Sequence, residues 1–410
     1  MIIKTNVLSP ISPHEAEFRK NVFITINQTK IISISKESAN GDFEDFSDCV
    51  CIPGLIDTHV HLSQFYVRGK HSSDLLDWLQ KYIFQAELKS KDESYARKIA
   101  EDFFSATVKA GTTTAVIYTA PFKQACESAF EIAKDFGVRA IIGKTMMDCN
   151  SPDFLRESTE KSLKESIELF EKWNKSTPLL EYVFSPRFAP VCSSKLMKSV
   201  GEFARKNNAY IQTHLSENPD EIKLVKKLFP QFDSYTEVYE KHGILGEKTI
   251  LGHVIHISEK ELNIIKNTNS KIAHCPDSNF FLKSGAFPYE RIKNTGIEMA
   301  LASDVAAGTS LSMFNVMKMF NYRQDNYVVS PQEAFYYATL GGAKILGKDN
   351  IIGSVEIGKE ADLTFLKIPD IAEKNKDTLL SELLYLGTEK KIKAVFVAGK
   401  TFPKFNFQKY

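Results

Sequence analysis

The residues of this chain with the clearest chemical potential are two histidines one residue apart, at the end of Pro53-Gly54-Leu55-Ile56-Asp57-Thr58-His59-Val60-His61. A proline–glycine turn leads there into an apolar run. On a strand, residues i and i+2 share a face, so the imidazoles of His59 and His61 point the same way. Two imidazoles aimed together are half of a metal shell. Alone, the motif reads equally well as a strand end carrying polar side chains into solvent, and its partners decide. His214, His253 and His274 each close or adjoin the end of a later apolar run, and Asp304 ends another. His59, His61, His214 and Asp304 would make a three-nitrogen, one-oxygen shell with room for water. That set suits zinc and also accommodates iron(II). In His214-Leu215-Ser216-Glu217 a carboxylate follows three residues after a ligand. It is either a proton shuttle or a helix N-terminal glutamate favoured by the helix dipole. Phe184-Ser-Pro-Arg-Phe-Ala-Pro190 supplies Arg187, a planar fork of donors for a carbonyl or ring nitrogen, and Phe188, a stacking face. By themselves these two are equally a surface cation and a core aromatic. Of the nine histidines, His14, His71, His242 and His256 lie in less informative places.

Such scattered side chains need a scaffold that gathers distant residues at one mouth. Short apolar runs at Leu55–His61, 112–118, 139–145, Leu180–Pro186, Tyr210–Leu215, Thr249–His253, Lys271–His274 and 297–304 alternate with helix-period segments at 95–109, 125–136, 163–173, 195–207 and 220–228. A helix over 331–346 with Gly347 as its C-cap follows the eighth run. Eight strand–helix units predict a distorted (β/α)8 TIM barrel over 54–348, with its chemistry where strands end and βα loops begin. Residues 21–36 alternate apolar and polar about a polar break, as a hairpin does, and 361–368 and 392–399 are strand-like runs. Neither terminal piece is large enough for a good core alone. Segments 1–53 and 349–410 are therefore expected to build one small composite β-sandwich domain.

Composition narrows the partners. The 410 residues are 43% hydrophobic and carry 52 Lys+Arg against 51 Asp+Glu, a formal charge of +1. Nucleic-acid binding usually shows as clustered basic charge, and none is expected here. No GxxxxGK[ST] or GxGxxG cradle for phosphates occurs. No apolar stretch is long enough to span a bilayer and no signal-like start is present, so no membrane partner and a cytoplasmic location are expected. The cysteines at 49, 51, 126, 149, 192 and 275 do not form a disulfide framework. Cys49-Val50-Cys51 lacks the usual zinc spacing and reads as buried thiols.

Taken together, the segments PGLIDTHVHLSQ, SPRFAP, THLSE, GHVIH, AHCPDSN and ASDVAAGTSLSM resemble, in order, the motifs of the amidohydrolase superfamily and within it the guanine deaminases. The likeness spans about residues 50–320, and the terminal strands fit the superfamily's layout. The resemblance implies one zinc per subunit on His59, His61, His214 and Asp304, since two-metal members use a modified lysine and 184–190 contains none. It implies Glu217 as proton shuttle and His253, rather than His256, as the residue orienting water. Gln64, Arg187 and Phe188 are implied to contact a purine, with His274 and Asn279 grouped beside them at the substrate. A homodimer acting on free guanine to give xanthine and ammonia is the implied activity. Competing expectations are a superfamily deaminase or chlorohydrolase for 8-oxoguanine, a pterin, an adenosine derivative or a triazine, and a non-enzymatic barrel scaffold. The last would have lost the ligands that this chain retains.

Overall fold

The computed structural model describes residues 1–38, 41–72, 75–324 and 327–402. Eight parallel strands, β5 (Leu55–His61), β6 (Thr112–Thr119), β7 (Arg139–Met146), β8 (Leu180–Pro186), β9 (Tyr210–Leu215), β10 (Thr249–His253), β11 (Lys271–His274) and β12 (Met299–Leu301), follow one another in a single sheet. β5, β6 and β7 are buried at every position. Strands covered on both faces carry unbroken apolar runs, and for that reason these runs were readable. Helices cover the outer face, several begun by side-chain caps at Asp92, Ser158, Ser193 and Ser258.

The expected strand over 297–304 is shorter in the structure. β12 ends at Leu301 because the chain then leaves the ladder to close the barrel. Ala302 N–H bonds the His274 carbonyl, Asp304 N–H bonds the His59 carbonyl, and His61 N–H bonds the Val305 carbonyl. Asp57 reinforces the seam by accepting from Ser303 N–H at 2.9 Å and from the Ser303 hydroxyl. The expected helix over 331–346 is two helices, Pro331–Tyr337 and Leu340–Ile345. Thr339 breaks it with φ −135 and ψ −98, and the Ala338 carbonyl accepts from Ile56 N–H of β5.

The termini contribute β1 (Ile2–Ser12), β2 (Glu15–Asn27), β3 (Lys30–Ser35), β4 (Glu44–Pro53), β13 (Leu363–Lys367), β14 (Ile392–Val397) and β15 (Lys400–Thr401). They form one continuous sheet in the order β15-β14-β13-β4-β1-β2-β3. The sheet curls over Ile3, Val22, Ile24, Cys51, Phe365 and Phe396, and the β2–β3 hairpin bonds the segment before β13 through Ile31 and Thr29. Arg139 pins it to the barrel: its Nε–H donates to Asp362 at 2.9 Å, and its Nη2 donates to Glu360 at 2.6 Å. Residues 403–410 of the expected terminal piece lie outside the described residues. No helix among the described residues is long and apolar enough to cross a membrane.

Candidate active site

The barrel brings His59, His61, His214 and Asp304 to one point at the strand ends. His61 Nε2 lies 3.2 Å from His59 Nε2 and 3.2 Å from His214 Nε2. Asp304 Oδ1 lies 3.4 Å from His59 Nε2 and 3.2 Å from His61 Nε2. A tetrahedral ion with bonds of about 2.05 Å needs ligand atoms about 3.3 Å apart. The four atoms therefore already span the edges of such a shell. Their protonation suits it too. Burial pushes His61 down to about 4 and His214 well below the usual histidine range, so both are neutral near pH 7. His214 Nδ1–H donates to the Arg187 carbonyl at 2.6 Å, which leaves Nε2 bare for a ligand bond. The set fits a divalent ion.

Sharp turns aim the neighbouring groups. Ser216, His253, Val254 and Asp304 all have positive φ, between 47 and 71. Aspartate and histidine reach this conformation more readily than most residues, but for the β-branched Val254 it is strained and must be held by surrounding contacts, and such strained positions cluster at functional sites. After Ser216 the chain enters a capping box, in which Asn218 starts the helix and Glu221 turns back. Glu221 accepts from Glu217 N–H at 2.9 Å, which fixes the backbone of Glu217. The Glu217 side chain accepts from Ser284 Oγ at 3.1 Å and lies 3.4 Å from His253 Nε2. His253 Nδ1–H donates to Asn279 Oδ1 at 2.8 Å, and its Nε2 is buried with no hydrogen-bond partner among the described residues, 3.8 Å from Asp304 Oδ2.

The two carboxyls are driven apart in acidity. Burial would raise Asp304, but hydrogen bonds from His59 and His61 outweigh it and hold the group well below the carboxylate range. Burial, with the Asp304 charge adding to it, pushes Glu217 up to about 8. A pair split this way has one member ready to accept a proton and one ready to give it.

A cavity opens beside these groups, lined also by Gln64, Trp78, Leu79, Arg187, Phe188 and Leu282. Gln64 Nε2 donates to Glu87 Oε1 at 3.0 Å. Arg187 Nη1 donates to Glu87 Oε1 at 2.9 Å and Oε2 at 2.8 Å. Glu87 sits on Phe84–Lys89, behind a π-helical turn at Leu79–Ile83.

Of the expected site residues, His59, His61, His214, Asp304, Glu217, His253, Gln64, Arg187 and Phe188 surround this cavity or its ion-binding corner. His274 does not line it: the ring is buried and stacked on Phe287, centroids 3.9 Å apart. Asn279 holds His253 from behind instead of facing the cavity. His256 bonds the Ser284 carbonyl at 2.6 Å and so steadies the loop whose hydroxyl meets Glu217. Sequence reasoning missed Asp57, Glu87 and Glu221. The Asn218-Pro219-Asp220-Glu221 capping pattern could have flagged Glu221; nothing local marks Glu87.

Comparison with known proteins agrees with this geometry. Residues 50–402 match the amidohydrolase family. A guanine deaminase from Escherichia coli (strain K12) is 36% identical over 372 residues, covering 87% of this chain and 83% of the relative. The guanine deaminase of Homo sapiens is 34% identical over 378 residues, with 87% and 83% covered. A crystal structure of guanine deaminase from C. acetobutylicum with guanine in its active site superposes with a TM-score of 0.93 at 32% identity, over 98% of this chain and 99% of that one. The chain belongs to the amidohydrolase family, and these curated relatives within it are guanine deaminases.

Proposed function

We propose that the protein hydrolyses the C2 amine of guanine, giving xanthine and ammonia. The observation that carries this reading is the convergence of three imidazoles and Asp304 next to Glu217, in a cavity also lined by Gln64, Arg187 and Phe188. A divalent ion held by His59, His61, His214 and Asp304, for which zinc suits the donor set, supplies Lewis acidity that makes water reactive near neutral pH. Ionised Asp304 takes a proton from the attacking water. His253, its Nδ1 proton committed to Asn279, offers Nε2 as an acceptor that orients that water. Protonated Glu217 gives its proton to the ring nitrogen beside C2 as that carbon becomes tetrahedral. Asp304 then protonates the departing amine, and Glu217 recovers a proton from the new C2 hydroxyl. Both carboxyls end as they began. Donors from Arg187 and Gln64 hold the ring by its carbonyl side, and Phe188 offers a flat apolar face.

Six unpaired cysteines, five of them buried, fit a reducing compartment, and we assign the enzyme to the cytoplasm. A homodimer belongs to the same reading and is tested by light scattering. The activity is tested by ammonia release from guanine, 8-oxoguanine, a pterin, an adenosine derivative and a triazine, with and without chelator. Guanine is expected to be preferred, with turnover lost on chelation and restored by zinc; preference for another ring overturns the assignment. Glu217→Gln is expected to retain metal and lose about 100- to 10,000-fold in kcat; retained turnover removes Glu217 from its role.

A further inference from the structure

The geometry points to Glu87 as the residue that fixes the hydrogen-bonding polarity of the recognition wall and so selects a 6-oxo over a 6-amino purine. The inference rests on the proposed guanine reading and adds to it a residue that touches no reacting atom. Glu87 is 1% exposed and lies 100 residues from Arg187 in sequence, yet both recognition side chains end on its carboxylate. A carboxylate accepts and does not donate. The Gln64 amide must therefore turn its nitrogen to Glu87, and its oxygen is left toward Ala306 N–H at 3.4 Å. The second N–H of Gln64 is then the group left for the cavity. Arg187 spends Nη1 on both oxygens of Glu87. Its Nε–H and Nη2 donors have no protein acceptor among the described residues, and Arg187 lines the cavity. The wall thus offers donors only. A purine carbonyl meets it with lone pairs, whereas an exocyclic amine at the same position meets it N–H against N–H. Buried groups left unpaired in this way reject an analogue far more strongly than a missing methyl group does.

Glutamate is needed here for two reasons. It supplies the counter-charge that lets a buried guanidinium stand at the cavity, and it removes the ambiguity of an amide, which can otherwise flip and present its oxygen. Glutamine at this position would donate as well as accept, leaving Gln64 free to turn over. Glu87 is accordingly a positioning residue, acting through Gln64 and Arg187.

The test uses three purines that all carry the C2 amine: guanine, 2-aminopurine without a C6 substituent, and 2,6-diaminopurine with a donor there. Binding to the metal-loaded enzyme is measured by calorimetry, and turnover by ammonia release. Wild type is expected to bind guanine best and 2,6-diaminopurine worst, below 2-aminopurine. A wild type that binds 2,6-diaminopurine as well as or better than 2-aminopurine overturns the inference, and this arm needs no variant to fold. In Glu87→Gln the last two are expected to exchange order, guanine preference to narrow by about tenfold or more, and the guanine KM to rise with kcat changed less than about threefold. Metal content is expected to stay at wild-type level, which a merely structural collapse would not allow. An unchanged purine order in a folded Glu87→Gln overturns the inference. If wild type shows the expected binding order but releases no ammonia from guanine, only the proposed activity falls.

Discussion

Replacing Gly252 with alanine tests whether the ion-binding corner is built to the tolerance a metal requires. Gly252 lies in β10 beside the ring of His59. A Cβ there would stand 2.9 Å from His59 Cε1, 3.1 Å from Nδ1 and 3.6 Å from Nε2. Carbon atoms rest at about 3.5–4.0 Å, so the ring must retreat by roughly 0.6–1 Å. His59 is fully buried, and its Nε2 is set 3.2 Å from His61 Nε2. Metal–ligand distances hold to about 0.2 Å, so this retreat costs one of four bonds. Gly252 is not among the positive-φ glycines, which makes the added methyl the whole perturbation. Metal affinity is expected to fall about 10- to 100-fold, as when a ligand's supporting contacts are lost. With metal in excess, kcat/KM is expected to fall about 100-fold, the cost of a displacement of about 1 Å. Competition with a graded chelator series and elemental analysis read the first number, and ammonia release reads the second. Gly246→Ala, where an added Cβ meets nothing within 4 Å, serves as the control and should match wild type. A Gly252→Ala enzyme within twofold of wild type in both numbers would refute the claim that His59 is held by close packing.

Three further outcomes follow from named contacts. Arg139→Ala strands Asp362 and Glu360 at the junction of barrel and terminal sheet and should cost about 3–5 kcal/mol in a denaturant titration; a loss below about 1 kcal/mol contradicts the junction's role. Glu221 is pushed up to about 7, by burial first and the Glu217 charge second. Between its unfolded value near 4.5 and 7 the native state holds a proton that the unfolded chain releases, so this group makes stability fall as pH rises, by up to about 3 kcal/mol above 7. Glu221→Gln should therefore gain on wild type across that window, and a pH-independent offset between the two would contradict the assignment. Arg187→Lys keeps the backbone carbonyl that orients His214 but loses the planar fork. Metal content should be unchanged while the guanine KM rises about tenfold or more, and joint loss of metal would show that the two roles are not separable.

The fold was legible because a barrel strand buried on both faces has little freedom in composition. Leu55–His61, Tyr210–Leu215 and Thr249–His253 are apolar runs that end in or next to a histidine, and that ending marks the mouth of the barrel. Asp304 was legible for the same reason, although the run before it was read too long: residues 302–304 close the barrel through bonds to His274 and His59, which no local pattern encodes. His274 ends a strand as His253 does, yet its ring packs on Phe287. Strand position gives the rim, and only the packing of a distant aromatic decides which way a rim residue faces. Glu87 shows the opposite limit. It occupies a short helix whose buried neighbours, Phe84 and Ala86, are those of any amphipathic helix, and its partners come from the loops after β5 and β8.

These placements share one logic, and Arg187 shows it best. Its carbonyl accepts from His214 N–H at 3.1 Å and from His214 Nδ1 at 2.6 Å, so the backbone at the end of β8 sets the tautomer of an ion-binding histidine. Its side chain, locked on Glu87, faces the cavity. One residue thereby fixes the distance between the group proposed to hold the carbonyl side of a purine and the candidate ion-binding corner. Glu221 does the same on the other side: through its bond to Glu217 N–H it ties the backbone of the proposed proton carrier to the helix following His214, and Tyr235 O–H, donating to Glu221 at 2.9 Å, anchors it in turn. Reaction at C2 requires the ring, the water and the proton carrier to be held within a fraction of an ångström of one another. Here that precision comes from main-chain and buried carboxylate contacts that belong to no motif. The motif residues give the chemistry its identity; Arg187 and Glu221, each bonded on two sides, give it its distances.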